Sequence, residues 1–332
     1  MSDLTVLMPT FNRASVLRTT LEALRHVRVG NLSVEIVVID NGSSDDTQAV
    51  LREFSSQLPL RQIYEPKPGK CNALNRALCE STLGDIVLFT DDDVTPDPSW
   101  FEAAVATCQR WPEHAVFGGR IDPGWPKGVP VPFWASDKSV QLIAFSAHHM
   151  SDREGPYRAD ADPFGPNFWV RREALSGLAF RADLGPHPTR RTLGDETELL
   201  RQLRSKGFSP IYTPSSRVIH RIEPERTTEL AIYRRAFQNG RGNVHVLGMP
   251  EAALLDKSRA AWHLRIASNV AVGGLQLLGA ALEPDERQRF SKLFNRTFTF
   301  SKNLEALRWS MRKALEGARG QGATLELAEL AE

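Results

Sequence analysis

The chain has 332 residues, 41% of them hydrophobic and 24% charged, and its 41 Lys and Arg stand against 40 Asp and Glu for a formal charge of +1. That much apolar side chain builds a sizeable core and excludes extended disorder, while the near balance of charge argues against a dedicated nucleic-acid binder. Three cysteines, Cys71, Cys79 and Cys108, are too few and too odd in number for a disulfide framework and point to reduced thiols in the cytoplasm.

The first elements alternate. Residues 5–8 are a short apolar run stopped by Pro9, and residues 14–28 carry Leu17, Leu21 and Leu24 at helical spacing. Residues 34–39 form an almost wholly apolar strand, as expected of a central strand covered on both faces. The turn at 40–46 leads into a helix from about Thr47; residues 60–64 are a weaker strand, 70–79 a helix and 85–90 a fourth strand. Ser99 and Glu102 have capping-box spacing and open a helix to about Arg110. This rhythm predicts a mostly parallel, doubly wound α/β sheet.

Residues 123–166 break the order, with Trp125, Phe133, Trp134, Tyr157 and Phe164 among prolines and polar residues. A long irregular segment inside a compact domain reads as a binding region or lid, or as an excursion whose aromatics pack down. Helix and strand return at 196–206, 211–212 and 218–219. From 227 on the pattern is helical, so a boundary near 225 separates an α/β part (1–225) from a helical part (226–332) whose tail, 320–332, is expected to fray.

The N-terminus has no basic segment followed by an apolar core, so no signal peptide is expected. The most apolar stretch, 266–282, is interrupted by Ser268, Asn269 and Gln276 and falls short of the roughly 20 residues a membrane span needs. A buried or amphipathic helix is the first reading. With Lys257, Arg259 and Arg265 flanking the run, contact of 257–282 with an anionic membrane surface is the second.

Carboxylates gather at strand ends. Asp40 follows the second strand, and Asp91, Asp92 and Asp93 follow the fourth, where open α/β sheets bind ligands. Three adjacent acids repel one another, and Mg²⁺ or Mn²⁺ bridging to phosphate oxygens would compensate them. Lys70 at the start of a helix is unfavourable unless an anion is near. Glu196 stands three, four and seven positions before Leu199, Leu200 and Leu203, which predicts a core-facing carboxylate there, with Asp195 and Glu198 solvated or salt-bridged. His220 ends a strand as the Asp triplet does and could complete a carboxylate–imidazole metal site.

The ordered set Pro9-Thr10-Phe11-Asn12-Arg13, Asp40-Asn41-Gly42-Ser43, Gly69-Lys70, Asp91-Asp92-Asp93, Gly165-Pro166-Asn167, Gly194-Asp195-Glu196 and His220, with a tail signature at 234–241, resembles family 2 glycosyltransferases over residues 4–241. The resemblance implies the GT-A fold, a Rossmann-like α/β core, and inverting transfer from a nucleotide sugar, uridine diphosphate being the commonest donor nucleotide. It implies that Pro9, Thr10, Asn12 and Asp40 form the nucleotide pocket and that Lys70, Asp91, Asp92 and Asn167 lie on the donor side. It implies that Asp93 and His220 face Mn²⁺ or Mg²⁺. The family's usual Gly-Glu-Asp reads Gly-Asp-Glu here, so the base position falls on Glu196, with Asp195 its alternative. The acceptor implied is a glycan, a lipid-linked sugar or a small molecule, met in the cytoplasm or at the inner face of the membrane. A sugar-phosphate nucleotidyltransferase would normally show a glycine-rich phosphate loop where Met8-Pro9-Thr10 stands, and an inactive nucleotide-sugar-binding module need not keep all the acids.

Overall fold

The computed structural model describes residues 3–80, 82–159, 161–247 and 259–329. It divides into two compact units, Met1–Ala231 and Ile232–Glu332.

In the first unit the chain runs β1 (Leu4–Thr10), α1 (Ala14–Leu24), β2 (Val34–Asp40), α2 (Thr47–Phe54), β3 (Leu60–Tyr64), α3 (Lys70–Leu78), β4 (Ile86–Phe89), β5 (Val94–Pro96), α4 (Trp100–Arg110) and β6 (Val116–Gly124). It continues through α5 (Lys138–Phe145), β7 (Gly155–Pro156), β8 (Phe168–Arg171), β9 (Gly185–His187), β10 (Arg190–Thr192), α6 (Asp195–Ser205) and β11 (Ile211–Arg221). The main sheet has the order β3-β2-β1-β4-β8-β6-β11-β5, with β7 also on β11, and β9 and β10 form a separate hairpin. As the alternating rhythm predicts, β1 to β4 are parallel. Beyond β4 the sheet is mixed: β8 runs antiparallel to both β4 and β6, β5 and β7 run antiparallel to β11, and only β6 and β11 are parallel there.

Alternation along the strands divides the core. Val6, Met8, Ile36 and Val38 face one helical layer with Leu17, Leu21, Leu51 and Phe101, while Leu7, Val37 and Ile39 face the other with Leu74, Leu199 and Leu203. Pro9 does not stop β1. It sits at the carboxyl end, opposite Ile39 of β2, where β4 has already ended at the partner of Leu7, so its missing N–H costs no ladder bond on that side. The capping box is also different: Ser99 makes no side-chain cap, and Asp97 Oδ1 instead accepts from the backbone N–H (2.9 Å) and hydroxyl (2.7 Å) of Ser99.

In the second unit, helix α7 (Glu229–Leu247), which begins just before it, is followed by α8 (Arg259–Ala281) and α9 (Glu286–Glu329). Arg241 of the tail signature and His245 both reach the buried Glu305 on α9, at 2.8 and 2.9 Å. The backbone is helical through Glu329, over most of the stretch expected to fray; residues 330–332, and Lys257 and Ser258 ahead of α8, lie outside the described residues. Of the buried or amphipathic helix expected at 266–282, the helix is present but only one side of it is buried. Ile266, Gly273 and Ala280, seven apart, are buried, but Leu264, Leu275, Leu278 and Leu282 are 66–83% exposed.

Candidate active site

The carboxyl ends of β1, β2 and β4 converge. Thr10 Oγ1 donates to Asp92 Oδ2 at 2.7 Å. Asp40 is wholly buried; its Oδ1 accepts from the Ser43 N–H at 2.9 Å, and the Gln48 amide donates to its Oδ2. Asn12 takes a left-handed conformation (φ 50), which Asn tolerates better than most residues, and links the β1 and β2 loops. Its N–H donates to Ser43 Oγ (2.9 Å), and its side-chain oxygen accepts from the Ser44 N–H (2.7 Å). Asn12 and Asp40 therefore brace this loop.

The Asp triplet is compensated by arginine. The Arg13 guanidinium bridges Asp92, Asp93 (3.0 Å) and Glu223, which follows β11. Asp92 and Asp93 are each 3% exposed. Burial raises the Asp92 carboxyl above its usual range and its charged neighbour Asp93 adds to this, against the pull of Arg13. Burial acts the same way on Asp93, but His220, Arg13 and Arg226 overcome it and hold that carboxyl ionised. Sequence reasoning missed Arg13, Glu223 and Arg226 as members of the site. Arg13 was visible only as the residue after the Pro-Thr-Phe-Asn turn, and nothing local marks the other two.

Asp93 and His220 are the residues that could hold a divalent ion. Asp93 Oδ1 is buried without a hydrogen bond and lies 3.3 Å from His220 Nε2. His220 Nδ1 is 2.7 Å from the carbonyl of Phe145, so it carries a proton and leaves Nε2 to face the acid. Two ligands of one octahedral Mg²⁺ at 2.0–2.1 Å stand about 3 Å apart, close to this spacing. Among the described residues no group of three His, Cys, Asp or Glu is arranged around a metal position.

Lys70 joins the triplet to α6. Gly69 opens α3 with φ 118, and its N–H donates to Asn41 Oδ1 at 2.7 Å, which ties the helix start to the β2 loop. Lys70 Nζ then donates to Asp91 Oδ1 at 2.8 Å and Glu196 Oε1 at 2.7 Å, and lies 3.8 Å from Asp195 Oδ2. Burial opposes the Lys70 charge, but the acids outweigh it and keep the ammonium protonated. Burial would likewise raise Glu196, and Lys70 overcomes it and holds this carboxyl below the usual range. Asp195 is pushed up, first by burial and then by the adjacent Glu196 charge.

The exposure of these acids corrects the helical-stripe reading. Asp195 is 2% exposed and Glu198 4%, whereas the Glu196 side chain is 22% exposed. Asp195 stands four residues before Leu199 and shares its stripe, and Gly185 and Cys71 pack near it. Glu198 is salt-bridged, as expected, to Arg201 at 3.0 Å. Asn167 is also wholly enclosed. Its carbonyl accepts from Trp100 Nε1 (2.9 Å), and its amide donates to the carbonyls of Arg120 (3.0 Å) and Ser216 (2.9 Å), so it ties β6 to β11.

In the irregular segment, Trp134 is 3% exposed and packs edge-on to Trp125, 6.0 Å between ring centroids. Trp125 meets Phe145 in the same way at 5.9 Å. These aromatics form a small core beneath α5 and, through the Phe145 carbonyl, set the orientation of His220.

Glycosyltransferase AglE of Haloferax volcanii is 23% identical over 73% of this chain and 73% of its own length. Probable glycosyltransferase YdaM of Bacillus subtilis is 26% identical over 73% of this chain and 55% of its length. Among solved structures, the mannosyltransferase PcManGT from Pyrobaculum calidifontis, in complex with GDP-Man and Mn²⁺, superposes with a TM-score of 0.60 at 20% identity, over 91% of this chain and 87% of that one. The fold is GT-A. Residues 5–178, just over half of the chain, match glycosyl transferase family 2, and with the acids, lysine and histidine gathered at the strand ends this chain is a glycosyltransferase belonging to that family.

Proposed function

We propose that the protein transfers a sugar, with inversion, from a nucleoside diphosphate sugar to an acceptor hydroxyl, with Glu196 as general base and a divalent ion at Asp93 and His220. The observation that carries this reading is the Lys70 bridge between Asp91 and Glu196, which puts a donor-side acid and an ionised, partly exposed carboxylate on one ammonium.

Glu196 takes the proton of the acceptor hydroxyl as its oxygen attacks the anomeric carbon from the face opposite the diphosphate. The bond to the diphosphate breaks and its electron pair departs with the leaving group. Bound Mn²⁺ or Mg²⁺ would neutralise charge on that diphosphate. Thr10, Asn12 and Asp40 shape the nucleotide side with Pro9, and Asp91, Asp92 and Lys70 face the donor. Asn167 acts from behind, by holding β6 and β11 in place. Uridine diphosphate is the donor nucleotide implied by the family resemblance; the complex of PcManGT with GDP-Man makes guanosine its first competitor. A thermal-shift screen of nucleotide sugars with Mn²⁺ tests the donor, with slow release of nucleoside diphosphate in the absence of acceptor as the signature of a transferase. Pyrophosphate release, or no nucleotide-sugar turnover, would overturn the reading.

Residues 1–225 are the catalytic part in this proposal, and within 226–332 the stretch 257–282 contacts a membrane at the cytoplasmic face. The support is α8. Its window Leu264–Ala281 has mean hydropathy 1.2, Arg265 is its one charged residue, and only 6% of it is buried. An apolar helix face beside arginine suits peripheral contact with anionic lipid and access to a lipid-linked acceptor. Co-sedimentation with anionic vesicles at low salt, lost on Leu275→Glu with Leu278→Glu, is expected; no sedimentation of the native protein would remove the membrane contact and leave the transferase reading intact.

A further inference from the structure

Gly165 opens the short turn ahead of β8, and nothing in its backbone calls for glycine: its φ is not in the left-handed region. A β-carbon placed there would nevertheless lie 2.2 Å from Glu196 Oε1, 2.8 Å from its Cδ and 3.1 Å from its Cγ, so the three nearest atoms all belong to one side chain. The turn itself cannot yield. Thr90 Oγ1 donates to the Pro166 carbonyl at 2.9 Å, the Asn167 N–H donates to the Phe164 carbonyl at 3.1 Å, and the Asn167 side chain is fixed by its three bonds.

We propose that Gly165 is a positioning residue for Glu196: the space left by its missing side chain is where the long acidic arm lies, and that space sets the carboxylate against Lys70. This rests on the reading of Glu196 as the base and extends it to the residue that aims it. An acidic arm one methylene longer than aspartate must bend to reach the same ammonium. With the turn pinned, any side chain at 165 pushes the carboxylate off Lys70, and displacement by about 1 Å is enough to cost roughly 10²-fold in rate.

The test is a kinetic cycle of Gly165→Ala, Glu196→Asp and the double variant, with Glu196→Gln beside it. Gly165→Ala is expected to lower kcat about 10²-fold, to leave the donor KM within about threefold, and to move the acid limb of the kcat–pH profile upward, because the carboxylate has left its lysine. In the Glu196→Asp background the same change should cost less than about threefold, since the closest atom, Oε1, is gone and the shorter carboxylate reaches less far into that space. Equal cost in both backgrounds, or no cost in either, overturns the positioning role alone. Retained kcat in Glu196→Gln overturns the base assignment itself. If Gly165→Ala is too unstable to assay, the melting midpoint gives the answer instead: Glu196→Ala should restore it in the double variant, and failure to restore it rejects the proposal.

Discussion

At the end of β4 and at the start of α6 the chain sets acids side by side, and the two places are neutralised in different ways. Asp92 and Asp93 are held by Arg13, with Arg226 and His220 also on Asp93 and Glu223 completing the Arg13 fork. Among the described residues Asp195 and Glu196 have one cation between them, Lys70, and they share it with Asp91. In each pair one acid is raised by burial and the other is held ionised by its cation. The site is braced at the triplet and adjustable at the α6 pair. The triplet keeps its shape through several strong ion pairs of the kind that hold a binding surface rigid. Among the described residues the charge state of the α6 pair rests on Lys70, which suits the proposed general base.

Asp93→Ala is expected to reduce turnover by about 10³-fold, the upper range for deleting one electrostatic stabiliser. Chelator should do the same to the native protein and Mn²⁺ should reverse it. Full activity of Asp93→Ala in chelator rejects the divalent ion.

Next comes the α6 pair. Glu196→Gln should keep donor binding, measured by calorimetry, and lose kcat by roughly 10² or more. Asp195→Asn, a near-isosteric copy of the protonated acid, should change kcat by less than about threefold at neutral pH. The reverse ranking would make Asp195 the base.

Lys70→Met sharpens the contrast. Lys70 is what holds Glu196 below the ordinary carboxylate range, so its removal should carry the acid limb of the kcat–pH profile upward by about 1–3 units. An unmoved limb would mean that Lys70 does not set the charge of the base.

The smallest effect is on stability. Asp195 is raised in the fold, so above about pH 4 the folded chain holds a proton that the unfolded chain has released. Stability should therefore fall as pH rises from there toward neutral. Asp195→Asn should flatten that slope in melting scans, and an unchanged slope would place the proton elsewhere.

Much of this was legible along the chain because it depends on spacing within one element. The alternation of β1 to β4 with α1 to α3, the helix α4 and the acids at the ends of β2 and β4 all follow from local periodicity and strand-end position, whereas the short β5 between β4 and α4 does not. The tertiary structure decided what spacing cannot carry. The antiparallel insertion of β8 between β4 and β6 comes from pairing across distant segments, and so do the Arg13 fork to Glu223, 210 residues away, and the Lys70 bridge to Glu196, 126 residues away. Whether a given face is covered is likewise a property of its neighbours. The same helical arithmetic that placed Glu196 inward left Asp195 outside, until Gly185 and Cys71 packed near it. On α8 the leucines that composition alone would bury stay exposed, because Ile266, Gly273 and Ala280 fill the buried side of that helix. Sequence specifies which side chains repeat and at what period; only contact between elements far apart in the chain determines which of them water, a partner or a substrate can reach.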